Sequence, residues 1–198
     1  MARSVLFQML ALGGCISLLA CGYSLQTSRS ELVEREGIHK LYIRPVTNNT
    51  LRLGVENIVY NALIRSVAAY RHVRLVQNLA DADSFLDSTI WEVKSTVSAS
   101  QSAGTFPVTF YSTLPVANEY SAQLVCQFSL FKIADSKGPT RLLWGSNFTR
   151  QKLFPAFVAL GVPGTTSPLI TETEFYRTIG DLAQSMMDDV HESMFSIF

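Results

Sequence analysis

Between Tyr120 and Leu130 the chain alternates cleanly, with Tyr120, Ala122, Leu124, Cys126, Phe128 and Leu130 on one side and Ser121, Gln123, Gln127 and Ser129 on the other. Side chains along a strand point to opposite faces in turn, so this segment makes a β-strand with one covered face and one that is wet or meets a polar partner. Asp135-Ser136-Lys137-Gly138-Pro139 then reads as a hairpin turn. The chain returns through Leu142 to Leu153 with Leu142, Trp144 and Phe148 on one face.

Something must cover the apolar face, and two helical patterns are present. Val55, Ile58, Val59, Ala62, Leu63, Ser66 and Tyr70 recur at helical spacing with Asn57, Asn61 and Arg65 opposite, an amphipathic helix of about five turns. Thr171-Glu172-Thr173-Glu174 has the form of a capping box, and Phe175, Ile179, Leu182, Ala183, Met186 and Val190 follow it as a second amphipathic helix. Ahead of the first helix, Ile38 to Val46 is rich in β-formers and is stopped or placed at an edge by Pro45, and Thr47 to Thr50 supplies turn and cap residues. His72 to Val76 is a short strand, and strand, helix and strand of these lengths form a right-handed crossover between parallel strands. Asn78 to Asp83 is a turn, and Phe85 to Val97 alternates imperfectly through Trp91, Val93 and Val97. The expected fold is α+β, with two amphipathic helices packed on one face of a mixed, mostly antiparallel sheet of four to five strands in the order β-α-β-β-β-β-α. It spans 38–198 as a single domain.

The residues before this domain decide where it works. Arg3 precedes an apolar run from Val5 to Ala20, the layout of a secretory signal peptide over 1–20. The run is short for a membrane-spanning helix, which needs about 20 mostly apolar residues. Leu18-Leu19-Ala20-Cys21 resembles a bacterial lipobox, in which Cys21 receives diacylglycerol and, after cleavage, an N-acyl chain. Two or three acyl chains anchor durably where one does not. Leu12-Gly13-Gly14-Cys15 is a poorer lipobox; a signal cleaved without lipid attachment and a retained span are the alternatives. Gly22 follows the cysteine where aspartate favours inner-membrane retention, so the resemblance implies sorting to the outer membrane. Residues 21–37 form a polar, lipidated tether. With Cys21 acylated, Cys126 has no partner for an intrachain disulfide and is expected as a small buried hydrophobe.

Lys+Arg 16 against Asp+Glu 16 leaves no net charge, which argues against nucleic acid as a partner. His39, His72 and His191 are scattered, without metal-ligand spacing or a companion nucleophile, and Asp81 and Asp83 lack the other oxygens of a calcium loop. No catalytic residue, metal ligand or cofactor is expected beyond the lipid on Cys21, and the chain reads as a non-enzyme. Two long connections are unusual. Ser98 to Asn118 carries Phe106, Val108, Phe110, Tyr111 and Leu114, and Phe154 to Thr171 carries Phe157, Val158, Leu160, Val162, Leu169 and Ile170. Such loops either pack over the domain's own core or offer an apolar contact surface.

Cys21-Gly22-Tyr23-Ser24-Leu25, Ile43-Arg44-Pro45-Val46-Thr47-Asn48-Asn49-Thr50 before the first helix, and Ala80-Asp81-Ala82-Asp83 leading to Leu86 occur in an order that resembles the LptE family of lipopolysaccharide-assembly lipoproteins. The resemblance implies a protein without catalysis that plugs an LptD-type outer-membrane β-barrel, helps that barrel fold and binds lipopolysaccharide on its way to the cell surface. It would be lipid-anchored at the outer membrane, its domain on the periplasmic side or inside the lumen. Gln123, Gln127, Ser129, Asn147, Thr149 and Gln151 suit a polar lumen. Lys132, Lys137, Arg141, Arg150 and Lys152 fall on the hairpin and its partner strand, and as a cluster they would pair with lipid A phosphates or core carboxylates. The same strand, cap and helix also resemble domains of outer-membrane lipoproteins that build secretion pores or pilus machinery and self-oligomerise.

Overall fold

The computed structural model describes residues 35–70, 73–102, 115–133, 140–156 and 168–195. The signal peptide, Cys21, most of the tether, the 135–139 turn with Lys137, and the apolar residues of 103–114 and 157–167 lie outside them.

Strands β1 (Lys40–Ile43), β2 (Thr47–Asn48), β3 (Arg74–Val76), β4 (Ser84–Ser102), β5 (Pro115–Lys132) and β6 (Arg141–Pro155) form one sheet. Its order is β3-β1-β4-β5-β6, with β2 paired to β4 off that path. Helix α1 (Val55–Tyr70) connects β2 to β3, and α2 (Pro168–Phe195) closes the chain. The fold is α+β, as the patterns require, with six strands rather than four or five. The extra strand arises at Pro45, which has no N–H to continue the ladder. The segment expected as a strand therefore ends in β1, and Thr47 and Asn48, expected as turn and cap residues, form β2 in parallel pairing with Thr89 and Ile90 of β4. The crossover through α1 leaves β1 and β3 parallel. The sheet's bulk is the antiparallel β4-β5-β6 meander.

One face carries the core. Leu124, Cys126, Phe128 and Leu130 of β5 and Leu86, Ile90 and Val93 of β4 are buried there beneath α1 and α2. Val55, Val59, Ala62, Leu63 and Val67 face inward from α1, and Phe175, Ile179, Ala183, Met186, Met187 and Val190 from α2. Burying one such Leu, Ile, Phe or Met side chain contributes about 1.5–3 kcal/mol, which explains why the 3.6-residue period is so legible in both helices. α2 begins at Pro168, earlier than the capping-box residues suggest, because proline's fixed φ and missing N–H suit a first helical turn. Thr171 to Glu174 thus lie within the helix.

Bulges explain the other departures. Ile90 pairs with Cys126 but Glu92 pairs with Val125, so Trp91 is an extra residue pushed to the solvent side, where it is 55% exposed. This is why β4 alternates imperfectly. In β6, Trp144 pairs with Leu130 but Leu142 pairs with Phe131, which makes Leu143 the extra residue. Leu142 therefore leaves the face it was expected to share with Trp144 and is 56% exposed. Residues 98–102 and 115–118 extend β4 and β5 and are not loop. Phe154 is a core residue, its ring 5.6 Å from Tyr120 and 6.0 Å from Phe175.

Candidate functional site

The cations singled out in the sequence do not meet at one point. Lys132 and Arg141 are cross-strand partners where β5 ends and β6 begins. Both turn to Glu36: the Lys132 ammonium donates to its backbone carbonyl, and the Arg141 guanidinium pairs with its carboxylate. Arg150 and Lys152 lie farther along β6, opposite Leu124 and Ala122 on the helix-covered face. They reach α2, Arg150 pairing with Asp189 and Lys152 with Asp181 at 2.7 Å. Nine residues of strand separate Arg141 from Arg150, about 30 Å at the usual rise. Each described cation thus carries an acidic or carbonyl partner, half-exposed in the pairs to α2, where such contacts are worth about 0–1 kcal/mol and yield to a stronger anion.

Among the described residues no helix lies against the sheet's second face. Gln123 stands opposite Gln151, Gln127 opposite Asn147, and β4 adds Thr89, Glu92 and Lys94. These side chains bond one another: Gln151 Nε2 donates to Ser121 Oγ at 2.5 Å, Trp91 Nε1 to Gln127 Oε1 at 3.0 Å, and Lys94 Nζ to Glu92 Oε1 at 2.6 Å. Near β1 this face dips into an open groove of about 810 Å³ lined in part by Arg44, Leu79, Phe85, Asp87 and Phe131. The Arg44 guanidinium lies 3.9 Å above the Phe85 ring and 3.8 Å from the Asp87 carboxylate, and Phe85 stacks on Phe131 at 5.0 Å.

A third feature escaped the sequence reading. Between β2 and α1, Leu51 is 100% exposed and Leu53 80% exposed. The turn that carries them is tied at both ends. Asn48 Oδ1 accepts from the backbone N–H and the hydroxyl of Thr50 at 2.9 and 2.7 Å, and Asn48 Nδ2 donates to the Arg52 carbonyl and to Glu56 Oε2, each at 2.8 Å. Arg52 pairs with Glu172 at 2.6 Å, and the Tyr176 hydroxyl donates to the Leu53 carbonyl at 3.2 Å. Gly54 sits at φ +87°, which L-residues rarely adopt. Hydrogen bonds from its own backbone N–H and from Asn48 hold the Glu56 carboxyl below its ordinary range. A rigid turn presenting two leucines to water suits contact with another apolar surface. Two leucines inside an otherwise polar cap segment were the available signal.

The described residues contain no group of three or more His, Cys, Asp or Glu placed to hold a metal ion. Asp83, considered for calcium, instead accepts the backbone N–H groups of His39 and Lys40 at 2.7 and 2.9 Å. His191 lies against Phe195 with ring centroids 4.8 Å apart. Burial pushes the Cys126 thiol up to about 12, which suits a packing residue and not a nucleophile. Among the described residues no helix is long and apolar enough to cross a membrane.

No family model and no curated protein matches the sequence. Among solved structures the chain is similar to the rare lipoprotein B of Shewanella oneidensis, at 11% identity and TM-score 0.43, over 80% of this chain and 95% of that one. It is similar also to a PelC dodecamer of Paraburkholderia phytofirmans, at 12% identity and TM-score 0.44, over 77% and 85%. A minor lipoprotein of Acinetobacter baumannii matches at 11% identity and TM-score 0.38, over 79% and 90%. Likenesses at this level bring no activity, partner or assembly to this chain.

Proposed function

We propose that this chain is an outer-membrane lipoprotein, acylated at Cys21, that plugs and helps assemble an LptD-type β-barrel and binds lipopolysaccharide during its delivery to the outer leaflet. Its role is non-catalytic. The observation that carries the reading is the polar second face of the sheet. Three long strands present hydrogen-bonding side chains there, with no helix over them among the described residues, as suits an occupant of a polar barrel lumen. The lipobox and the LptE-like motifs support the same reading, and the leucine turn offers a rigid apolar contact for the barrel wall.

In this reading lipopolysaccharide phosphates engage the cations in two groups, Lys132 with Arg141 and Arg150 with Lys152, displacing Glu36 from the first and Asp189 and Asp181 from the second. Neutralising all five should abolish lipopolysaccharide binding in vitro, and unchanged binding would remove them from the proposal. Deleting 157–162 should likewise weaken barrel binding if that apolar segment touches the wall. The deciding experiment is a pull-down of the lipidated protein from detergent-solubilised outer membranes, with partners and stoichiometry read by native mass spectrometry. A one-to-one complex with a large β-barrel protein is expected. A homo-oligomeric ring would replace this reading with a self-assembling lipoprotein of a secretion or pilus machine.

A further inference from the structure

The sheet has two edges, and they are built differently. β3, at one end, is only three residues long, and short edge strands resist further pairing. β6, at the other, is 15 residues long and pairs only with β5 among the described residues. Natural edges of this length are guarded by prolines or outward charges. β6 has no proline before Pro155, and its two central cations, Arg150 and Lys152, are turned to the aspartates of α2. The Ala156 N–H donates to the Asn118 carbonyl at 3.0 Å, so by antiparallel alternation the even-numbered residues of β6 bond to β5. The backbone groups of Gly145, Asn147, Thr149 and Gln151 therefore point outward. All four residues are exposed, and none is charged.

We infer that β6 pairs antiparallel with β6 of a second copy of this chain about a two-fold axis at Phe148. Only outward-pointing backbone groups then meet: Asn147 opposite Thr149 of the partner subunit, and Gly145 opposite Gln151 of the partner subunit. The cations fall opposite neutral residues, Arg150 across from Ser146 of the partner subunit and Lys152 across from Trp144 of the partner subunit. Past Trp144 the bulge at Leu143 offsets the count by one, which brings Leu142 opposite Leu153 of the partner subunit. These are the two exposed leucines of β6, 56% and 50% exposed, and both lie on the open face. An axis moved by one residue sets Leu142 against Gln151 of the partner subunit in one direction and Pro155 of the partner subunit in the other. Helix covers stay on one side and open faces on the other, so the pair is a continuous two-layer sheet. Two-fold pairing is closed, so it yields a dimer and not a ring.

The test is native mass spectrometry and sedimentation of the full lipidated chain in detergent, without any barrel protein; failure here therefore leaves the plug reading standing. A dimer is expected. Thr149→Pro removes one outward N–H per subunit and so two hydrogen bonds per dimer, which should weaken association about thirtyfold while leaving the circular dichroism of the monomer intact. Leu142→Lys with Leu153→Lys should give monomers, and Leu142→Lys with Leu153→Glu should restore the dimer. A wild-type monomer at all concentrations would overturn the inference. So would a dimer that Thr149→Pro and the double-lysine variant leave intact, or a lysine–glutamate pair no tighter than the double lysine.

Discussion

Replacing Asn48 with alanine tests whether the leucine turn is held by its hydrogen bonds. The substitution removes four contacts between 2.7 and 2.9 Å, three to uncharged groups and one to the Glu56 carboxylate. At about 1 kcal/mol for a neutral bond and about 2 for the charged one, the four sum to about 5 kcal/mol; water replaces roughly half at a part-buried site, leaving a loss of about 2–3 kcal/mol. Urea unfolding followed by circular dichroism at neutral pH reads this as a lower midpoint at constant slope. A loss below about 0.5 kcal/mol, within the range of ordinary surface substitutions, would refute the argument.

Asn48→Asp sharpens the test through pH. In the wild type, the hydrogen bonds that hold Glu56 below its ordinary range contribute stability above the carboxyl's unfolded pKa, and that stability is lost as pH falls through the lowered folded value. The aspartate variant keeps the acceptor for Thr50 but sets one carboxylate against another. The folded pair then binds protons more tightly than the unfolded chain, so its instability is greatest at neutral pH and shrinks on acidification. Wild type and variant should therefore converge as pH falls toward the carboxyl range. Parallel curves would mean that Asn48 does not face the Glu56 carboxylate.

Phe128→Ala should cost about 3–5 kcal/mol in thermal or urea unfolding, because the ring is fully buried and packs edge-on against Phe148 at 6.0 Å. A double-mutant cycle on Arg150 and Asp189 should return a coupling of about 1 kcal/mol or less that shrinks with added salt, since both side chains are more than a third exposed. The Cys126 thiol should resist a thiol-reactive dye in the native protein and react only as the fold opens, with labelling that tracks denaturant unfolding. Rapid native labelling would place Cys126 outside the core.

Local chemistry made much of this protein legible in one dimension. Both helices announce their buried faces at Val55, Val59 and Leu63 and at Phe175, Ile179 and Met186, because burial of one helical stripe enforces a 3.6-residue period. The wet and covered faces of β5 were equally plain, since pleating enforces a period of two. The α+β class, the parallel β1-β3 crossover and the antiparallel β5-β6 pairing follow from those periods and from connection lengths. Bulges depend on what the neighbouring strand does, so Trp91 and Leu142 reached their faces only through pairing with β5. The cations look clustered along the chain, but strand rise spreads Lys132 and Arg141 far from Arg150 and Lys152. Their carboxylate partners, Glu36, Asp181 and Asp189, come from distant parts of the chain. The leucine turn and the free edge of β6 are likewise products of the tertiary structure. Exposure, register and charge pairing are set by residues far apart in sequence that folding brings together; periodicity reports only what each segment buries.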